Sequence, residues 1–233
     1  QLQMFDALGA RPPEFAHEAL LVAAEGKLSK RLGALGVEQV RAAGLEPMAL
    51  LSLLARLGTS QPVEPIGDLD SLARDFDFAH FGRAPAHFDL AEVEQLNRKL
   101  LHHSTFAEVA NAIILDISSE DYDLLKGNID RLSDLSDWLV VLDGDIDPPE
   151  LGHDERALVK EAAAVAERLD WGREPWRDLT DALKASTGRK GKALFLPLRL
   201  ALTGRDSGPE MAPLVARLGQ ARTVARLAAA ARR

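Results

Sequence analysis

Leucine, valine and alanine recur along this chain at the three- and four-residue spacing that lines one face of a helix. Residues 47–58, "PMALLSLLARLG", place Leu50, Leu51, Leu54 and Leu57 on one stripe, with Pro47 tolerated in the first turn and Gly58 as the stop. Residues 90–102 repeat the pattern with Leu90, Val93, Leu96, Leu100 and Leu101 inward and Asp89 as the N-cap. Residues 154–169, 175–187 and 211–233 read the same way. Two runs, 18–23 ("EALLVA") and 138–142 ("WLVVL"), are candidate short strands, and the second reads equally as buried helix. Gly, Ser and Pro gather at 58–68 and 144–154, which read as linkers. The pattern predicts a mainly α protein of mostly helical segments.

Composition narrows this picture. The chain of 233 residues is 46% hydrophobic, enough for one large or two ordinary cores. It has no cysteine, which removes disulfides, thiolate metal sites and cysteine nucleophiles. No apolar run approaches the roughly 20 residues that span a bilayer. The opening "QLQMFDALGARPPEF" lacks the order of a signal peptide and enters a helical pattern at once, as a chain beginning inside a domain would. These features predict a cytoplasmic protein.

The formal net charge of −8 is unevenly spread. Residues 111–150 carry eleven acids against Lys126 and Arg131, whereas residues 184–233 carry eleven bases against Asp206 and Glu210. The expectation is that these regions face different partners, the acidic one solvated and the basic one a stripe. His17, His80, His87, His102, His103 and His153 lack the i, i+4 pairing of a helical metal site, so no metal site is expected. No GxSxG, P-loop or GxGxxG occurs. Trp138, Trp171 and Trp176 are assigned to cores.

One short stretch carries chemistry. "EGKLSKR" (25–31) crowds Lys27, Lys30 and Arg31 with Ser29 beside Gly26, and Gly33 follows. Alone, such a cluster is an ordinary solvated turn. In its setting it closely resembles the mobile ATP loop of bacterial glutamyl-tRNA synthetases, whose class I signature reads Lys-Met-Ser-Lys-Ser or a variant. The resemblance continues in "PPEFAHEALL" (12–21), "FDLAEVEQLN" (88–97) and "GRKGKALFLPLRLALTGRDSGPEM" (188–211), in the family's order.

The resemblance implies the later part of such an enzyme. Residues 1–68 would hold the end of the catalytic domain and the start of a stem-contact module. Residues 69–150 would complete that module and begin the anticodon-binding helices, and 151–233 would be the last helical-bundle subdomain. Activating glutamate with ATP builds negative charge on phosphate oxygens as pyrophosphate leaves, and Lys30, then Lys27, would neutralise it. Ser29 and Arg31 would complete the ATP contact, with Leu28 an apolar anchor. The family's His-x-Gly-His signature and glutamate pocket have no counterpart here. The chain alone is therefore expected to be inactive and to bind no cofactor tightly; ATP, with Mg2+, would be a substrate of the intact monomeric enzyme.

The expected macromolecular partner is glutamate tRNA. Arg199 and Arg205 would hold phosphates, and the turn Gly208, Pro209 and Met211 would meet unstacked anticodon bases; a helix start followed by a core residue is the other reading of Pro209 and Met211. Glu92-Val93 and Gly127-Asn128 stand where many relatives have Lys-Leu and Glu-Arg. A stand-alone tRNA-binding module and an all-α scaffold are the alternatives to the ligase.

Overall fold

The computed structural model describes residues 1–23, 26, 27 and 36–233. These divide into two compact units, 1–100 and 101–233. The first contains helices α1 (Leu2–Ala7), α2 (Val37–Ala42), α3 (Pro47–Arg56), α4 (Leu69–Arg74) and most of α5 (Leu90–His103). It also holds a sheet of β1 (Leu21–Ala23), β2 (Gly26–Lys27) and β3 (Ala86–Phe88) in the order β2-β1-β3. β1 pairs antiparallel with β2 and parallel with β3, Val22 facing Lys27 on one side and His87 on the other.

The core of this unit is small: Val40, Leu45, Ala49, Leu53, Val93 and Leu96. The buried face of α3 is not the expected leucine stripe. Leu51 is 37% exposed, while Ala49, Ser52, Leu53 and Arg56 are buried. In helical projection Leu50, Leu51, Leu54 and Leu57 share one arc and Ala49, Ser52, Leu53 and Arg56 the arc beside it, so the buried face is turned away from the stripe, with Leu50 and Leu57 packing at the edge of the core. Polar residues occupy it because they find partners there. Ser52 Oγ accepts the N–H of Ile66 at 2.9 Å, and Arg56 donates to Gln61 Oε1 and to the carbonyl of Asp75. Since Gln61 Oε1 is thus an acceptor, its amide nitrogen donates to His80 Nδ1 at 3.0 Å. These bonds pin the passage 58–68 within the unit. α5 follows its pattern, with Asp89 Oδ1 accepting from the N–H of Ala91 and Val93, Leu96 and Leu101 buried.

The second unit is helical throughout its regular elements: α6 (Phe106–Val109), α7 (Ser119–Leu125), α8 (Leu135–Asp143), α9 (His153–Arg168), α10 (Pro175–Thr187), α11 (Lys192–Thr203) and α12 (Met211–Arg232). The run 138–142 is helix, not strand: Leu135, Trp138, Val141 and Leu142 are buried at helical spacing, and Val140 is 53% exposed. Leu151 belongs to the same core as Leu158 and Leu214, so the Pro-rich passage 144–154 connects elements of one body.

The charge split resolves inside this unit. Arg217 forks onto Asp121, Nε to Oδ1 at 2.7 Å and Nη2 to Oδ2 at 2.9 Å, and also reaches Asp143. Those hydrogen bonds, to Asp121 first, drive the Arg217 pKa further up. Arg222 donates to the carbonyls of Leu142 and Asp143. Arg226, 7% exposed, donates to the carbonyls of Val141, Gly144 and Leu202 at 2.7, 2.9 and 2.7 Å. Burial pulls its pKa down, but the carbonyl ends of α8 and α11 supply the negative potential that holds the charge. Arg205 pairs with Asp137, and Arg233 donates to the carbonyl of Pro148. The expectation that the acidic and basic regions face different partners is corrected: five of the basic arginines engage residues 121–148 of the same unit.

α12 breaks at Gly219, whose φ of 74° and ψ of 169° are essentially reserved for glycine. The break lets Gln220 donate to the carbonyls of Ala166 and Leu169 at the end of α9. It also removes the carbonyl one turn before Thr223 from helical geometry, and the fully buried Thr223 hydroxyl has no partner among the described residues. Thr223→Val should therefore stabilise the protein by about 1 kcal/mol, whereas Arg226→Leu, which strands three carbonyls, should cost about 3 kcal/mol or more. Urea unfolding followed by circular dichroism reads both as opposite shifts of the midpoint.

Candidate nucleic-acid interface

Of the ATP-loop residues, Lys27 lies in β2 opposite Val22; Ser29, Lys30 and Arg31 lie outside the described residues. The turn after α11 is described in full. Gly204, at φ 69°, ends α11, and Thr203 Oγ1 accepts the N–H of Arg205 at 3.1 Å. Arg205 lies over the indole of Trp138, its guanidinium carbon 4.5 Å from the ring centroid, and reaches Asp137 at 3.5 Å. Gly208 has φ 143°, and a Cβ there would sit 2.3 Å from Trp138 Cη2. The close approach that requires glycine is thus to an indole of the protein. Arg199 Nη1 donates to the carbonyl of Pro209 at 3.0 Å. Pro209 is buried, and Met211, the first residue of α12, is 6% exposed within the core. Each arginine of the turn therefore has an intramolecular partner. Gly204, Asp206, Ser207 and Glu210 are its exposed members.

Beside the turn is an open depression of about 640 Å³, lined by Trp176, Lys192, Phe195, Arg199, Glu210 and Met211 among others. Phe195 is 37% exposed, with its ring centroid 6.1 Å from that of Trp176. Lys184 Nζ lies 5.8 Å above the Phe195 ring and bonds Asp181 at 2.8 Å, a bond that holds the Asp181 carboxyl below the usual carboxylate range. Exposed Lys190 and Lys192 flank Gly191, whose φ of 54° turns the chain into α11. A flat ring in an open depression with cations along its rim can stack an unpaired base and hold the adjoining phosphates.

Sequence reasoning missed Phe195 and Lys192; Trp176, assigned to a core, is half-buried and packs against it while also lining the depression. The signal for Lys192 was the run "GRKGK"; no sequence pattern marked Phe195, because a single aromatic within "KALFLPLRL" is indistinguishable from core residues. A second depression, of about 500 Å³, is lined by Glu120, Asp123, Lys126, Gly127, Asn128 and Glu210 among others. Glu210 lines both.

The chain belongs to the anticodon binding domain family, whose model matches residues 86–231, and residues 1–95 match the catalytic domain of the class I tRNA synthetases "E and Q". Within that class its relatives are glutamate–tRNA ligases. It is 52% identical over 230 residues to glutamate–tRNA ligase 2 of Sphingopyxis alaskensis, covering 99% of this chain and 52% of that protein. It is 51% identical over 231 residues to glutamate–tRNA ligase 1 of Rhizorhabdus wittichii, with the same coverage of each. The chain spans about half the length of these relatives. Its fold matches that of a glutamate tRNA ligase from Elizabethkingia meningosepticum with a TM-score of 0.74 at 22% identity, over 99% of this chain and 54% of that one.

The turn's geometry makes a direct prediction. Gly208→Ala forces Cβ against the Trp138 ring from a backbone conformation unfavourable to alanine, and should lower stability by about 2–4 kcal/mol. Thermal and urea unfolding, compared with the exposed control Ser207→Ala, checks it.

Proposed function

We propose that this chain forms the ATP-loop-bearing and tRNA-reading part of a glutamate–tRNA ligase, which activates glutamate with ATP and transfers it to glutamate tRNA. The names of the relatives and the two family matches support this reading. The observation that carries it is the depression where Phe195 and Trp176 offer ring surface beside Lys192 and the turn 204–211. Unpaired anticodon bases stack there, and Lys190 and Lys192 take the phosphates. Gly208, Pro209 and Met211 shape that turn from its inner side, where they pack on Trp138 and the core rather than face a base, and Arg199 and Arg205 hold it from within and add positive potential at its edge.

In the same reading, residues 1–68 hold the end of the catalytic domain, residues 69–150 span the stem contact and the first anticodon-binding helices, and residues 151–233 form the last helical subdomain. Lys30 and Lys27 neutralise charge on the ATP phosphates as pyrophosphate leaves, with Ser29 and Arg31 completing the contact. Mg2+ accompanies ATP in the intact enzyme. Among the described residues no set of three His, Asp or Glu groups is placed to hold a metal, so no step is assigned to such an ion here. No described helix is long and apolar enough to cross a membrane, and the ligase is read as a cytoplasmic monomer.

Two outcomes test this reading. Affinity for glutamate tRNA should fall steeply with salt, and Lys192→Ala should flatten the log–log slope by up to about one unit, whereas Phe195→Ala should leave the slope unchanged and cost about 1–3 kcal/mol of binding. Titrations at several salt concentrations separate the two. In the intact ligase, Lys30→Ala should slow glutamate-dependent pyrophosphate exchange by about 100-fold or more with tRNA affinity unchanged, as measured by exchange and filter binding side by side.

A further inference from the structure

Residues 74–81 of the first unit, "RDFDFAHF", interleave carboxylates and aromatic rings. Phe76 and Phe78 meet edge to face, with centroids 5.1 Å apart and planes at 84°. Phe81 lies 5.4 Å from the first ring and 6.0 Å from the second. None of the three belongs to the core built from Val40, Leu45, Ala49, Leu53, Val93 and Leu96. Phe76 and Phe81 are half-buried, and Phe78 is 52% exposed. A lone apolar side chain at a surface is ordinary, but rings gathered into one exposed cluster mark a place of interaction.

The backbone under the rings is held at several points. The N–H groups of His80 and Phe81 donate to the carbonyls of Asp77 and Phe78, closing a tight turn. Across from it, the N–H of Ser60 reaches the carbonyl of His80 at 3.3 Å, and the N–H of Gly82 reaches that of Gly58 at 2.8 Å. A partner therefore meets a preformed surface, and little ordering entropy is lost on docking.

Charge selects the partner. Residues 64–83 expose Glu64, Asp68, Asp70, Asp75 and Asp77 against Arg74 and Arg83. Arg56 approaches the Asp75 carboxylate at 3.6 Å, yet that side chain is 65% exposed. Asp77 Oδ1 accepts the N–H of Ala79 at 2.8 Å. A carboxylate offers about four lone-pair sites, so both can take a further donor. The face of a phenyl ring attracts a cation, and carboxylates on either side of Phe78 in the chain deepen that attraction. The same charges repel phosphate, which dominates affinity for RNA.

We propose that Phe76, Phe78 and Phe81, with Asp75 and Asp77, form a docking surface for a partner protein that presents an arginine or lysine flanked by apolar side chains. The cation lies over the exposed face of Phe78 between the carboxylates, and the apolar neighbours cover Phe76 and Phe81. This surface belongs to the first unit, whereas the depression read as the tRNA site belongs to the second, and neither reading rests on the other.

The test titrates the whole chain into a short fluorescein-labelled peptide of alternating arginine and leucine, followed by anisotropy at fixed salt. A matched peptide carries glutamate in place of arginine, and glutamate tRNA is titrated in parallel. Phe78→Leu keeps the apolar surface but removes the ring, and Asp77→Asn removes a charge while an amide oxygen still accepts from Ala79. Wild type should bind the arginine peptide and not the glutamate one. Phe78→Leu should weaken that binding about ten-fold, the scale of a desolvated cation–ring contact, and Asp77→Asn about three-fold, that of one exposed charge pair. Both variants should bind glutamate tRNA as wild type does. Circular dichroism checks each fold; should Phe78→Leu not fold, Phe78→Met replaces it with the same expected loss. A wild-type chain that does not bind the arginine peptide, or binds both peptides equally, overturns the proposal. So does a ringless variant that binds the arginine peptide as tightly as wild type. An Asp77→Asn chain that binds glutamate tRNA more tightly would assign the surface to RNA and overturn it too.

Discussion

The second unit depends on how one helix spends its arginines. Arg217, Arg222 and Arg226 of α12 converge on the end of α8, where Val141, Leu142, Asp143 and Gly144 offer carbonyls, and Asp143 a carboxylate as well. A helix terminus leaves its last carbonyls unpaired, and burying them unmet would cost more than most single contacts return. Here the same bonds satisfy the termini of α8 and, through Leu202, of α11, and they place a guanidinium in the interior without a buried carboxylate beside it. Gln220 treats the end of α9 in the same way.

Fixing those ends fixes the candidate interface. The turn 204–210 leaves α11 directly after the carbonyl that Arg226 holds, and it folds back onto Trp138, which belongs to the helix that Arg222 and Arg226 cap. Recognition geometry is thereby tied to the core rather than left to a mobile loop. With Asp121, Asp137 and Asp143 paired to arginines of the same unit, Lys190 and Lys192 stand as exposed cations at the head of α11, so a chain of formal net charge −8 still presents a local basic rim to an anion.

Much of this was legible in the sequence. The helices at 90–102, 154–169, 175–187 and 211–233 follow from spacing, with Asp89 read as the N-cap of the first. The buried face of α3 was not, because it lies beside the leucine stripe and the deciding residues, Ser52 and Arg56, are polar groups whose partners Ile66, Gln61 and Asp75 lie up to 19 positions away. The run at 138–142 is apolar enough for a strand and becomes helix through the packing of Leu135 and Trp138. β3 has three residues, too few for an alternation to register. Charge totals by region could not reveal that Arg217 and Asp121, 96 positions apart, are partners. The turn at 206–211 was found in the sequence, but the partner of its glycine was not: only the fold brings Trp138 against Gly208.

The central claim is that the face holding Phe195, Lys192 and the 204–210 turn meets the anticodon loop of glutamate tRNA. Ribonuclease footprinting of that tRNA bound to the whole chain tests it most directly. The account predicts protection of the anticodon-loop nucleotides that disappears in Phe195→Ala; unprotected anticodon nucleotides in a saturated complex, or a footprint there that Phe195→Ala does not alter, would contradict it.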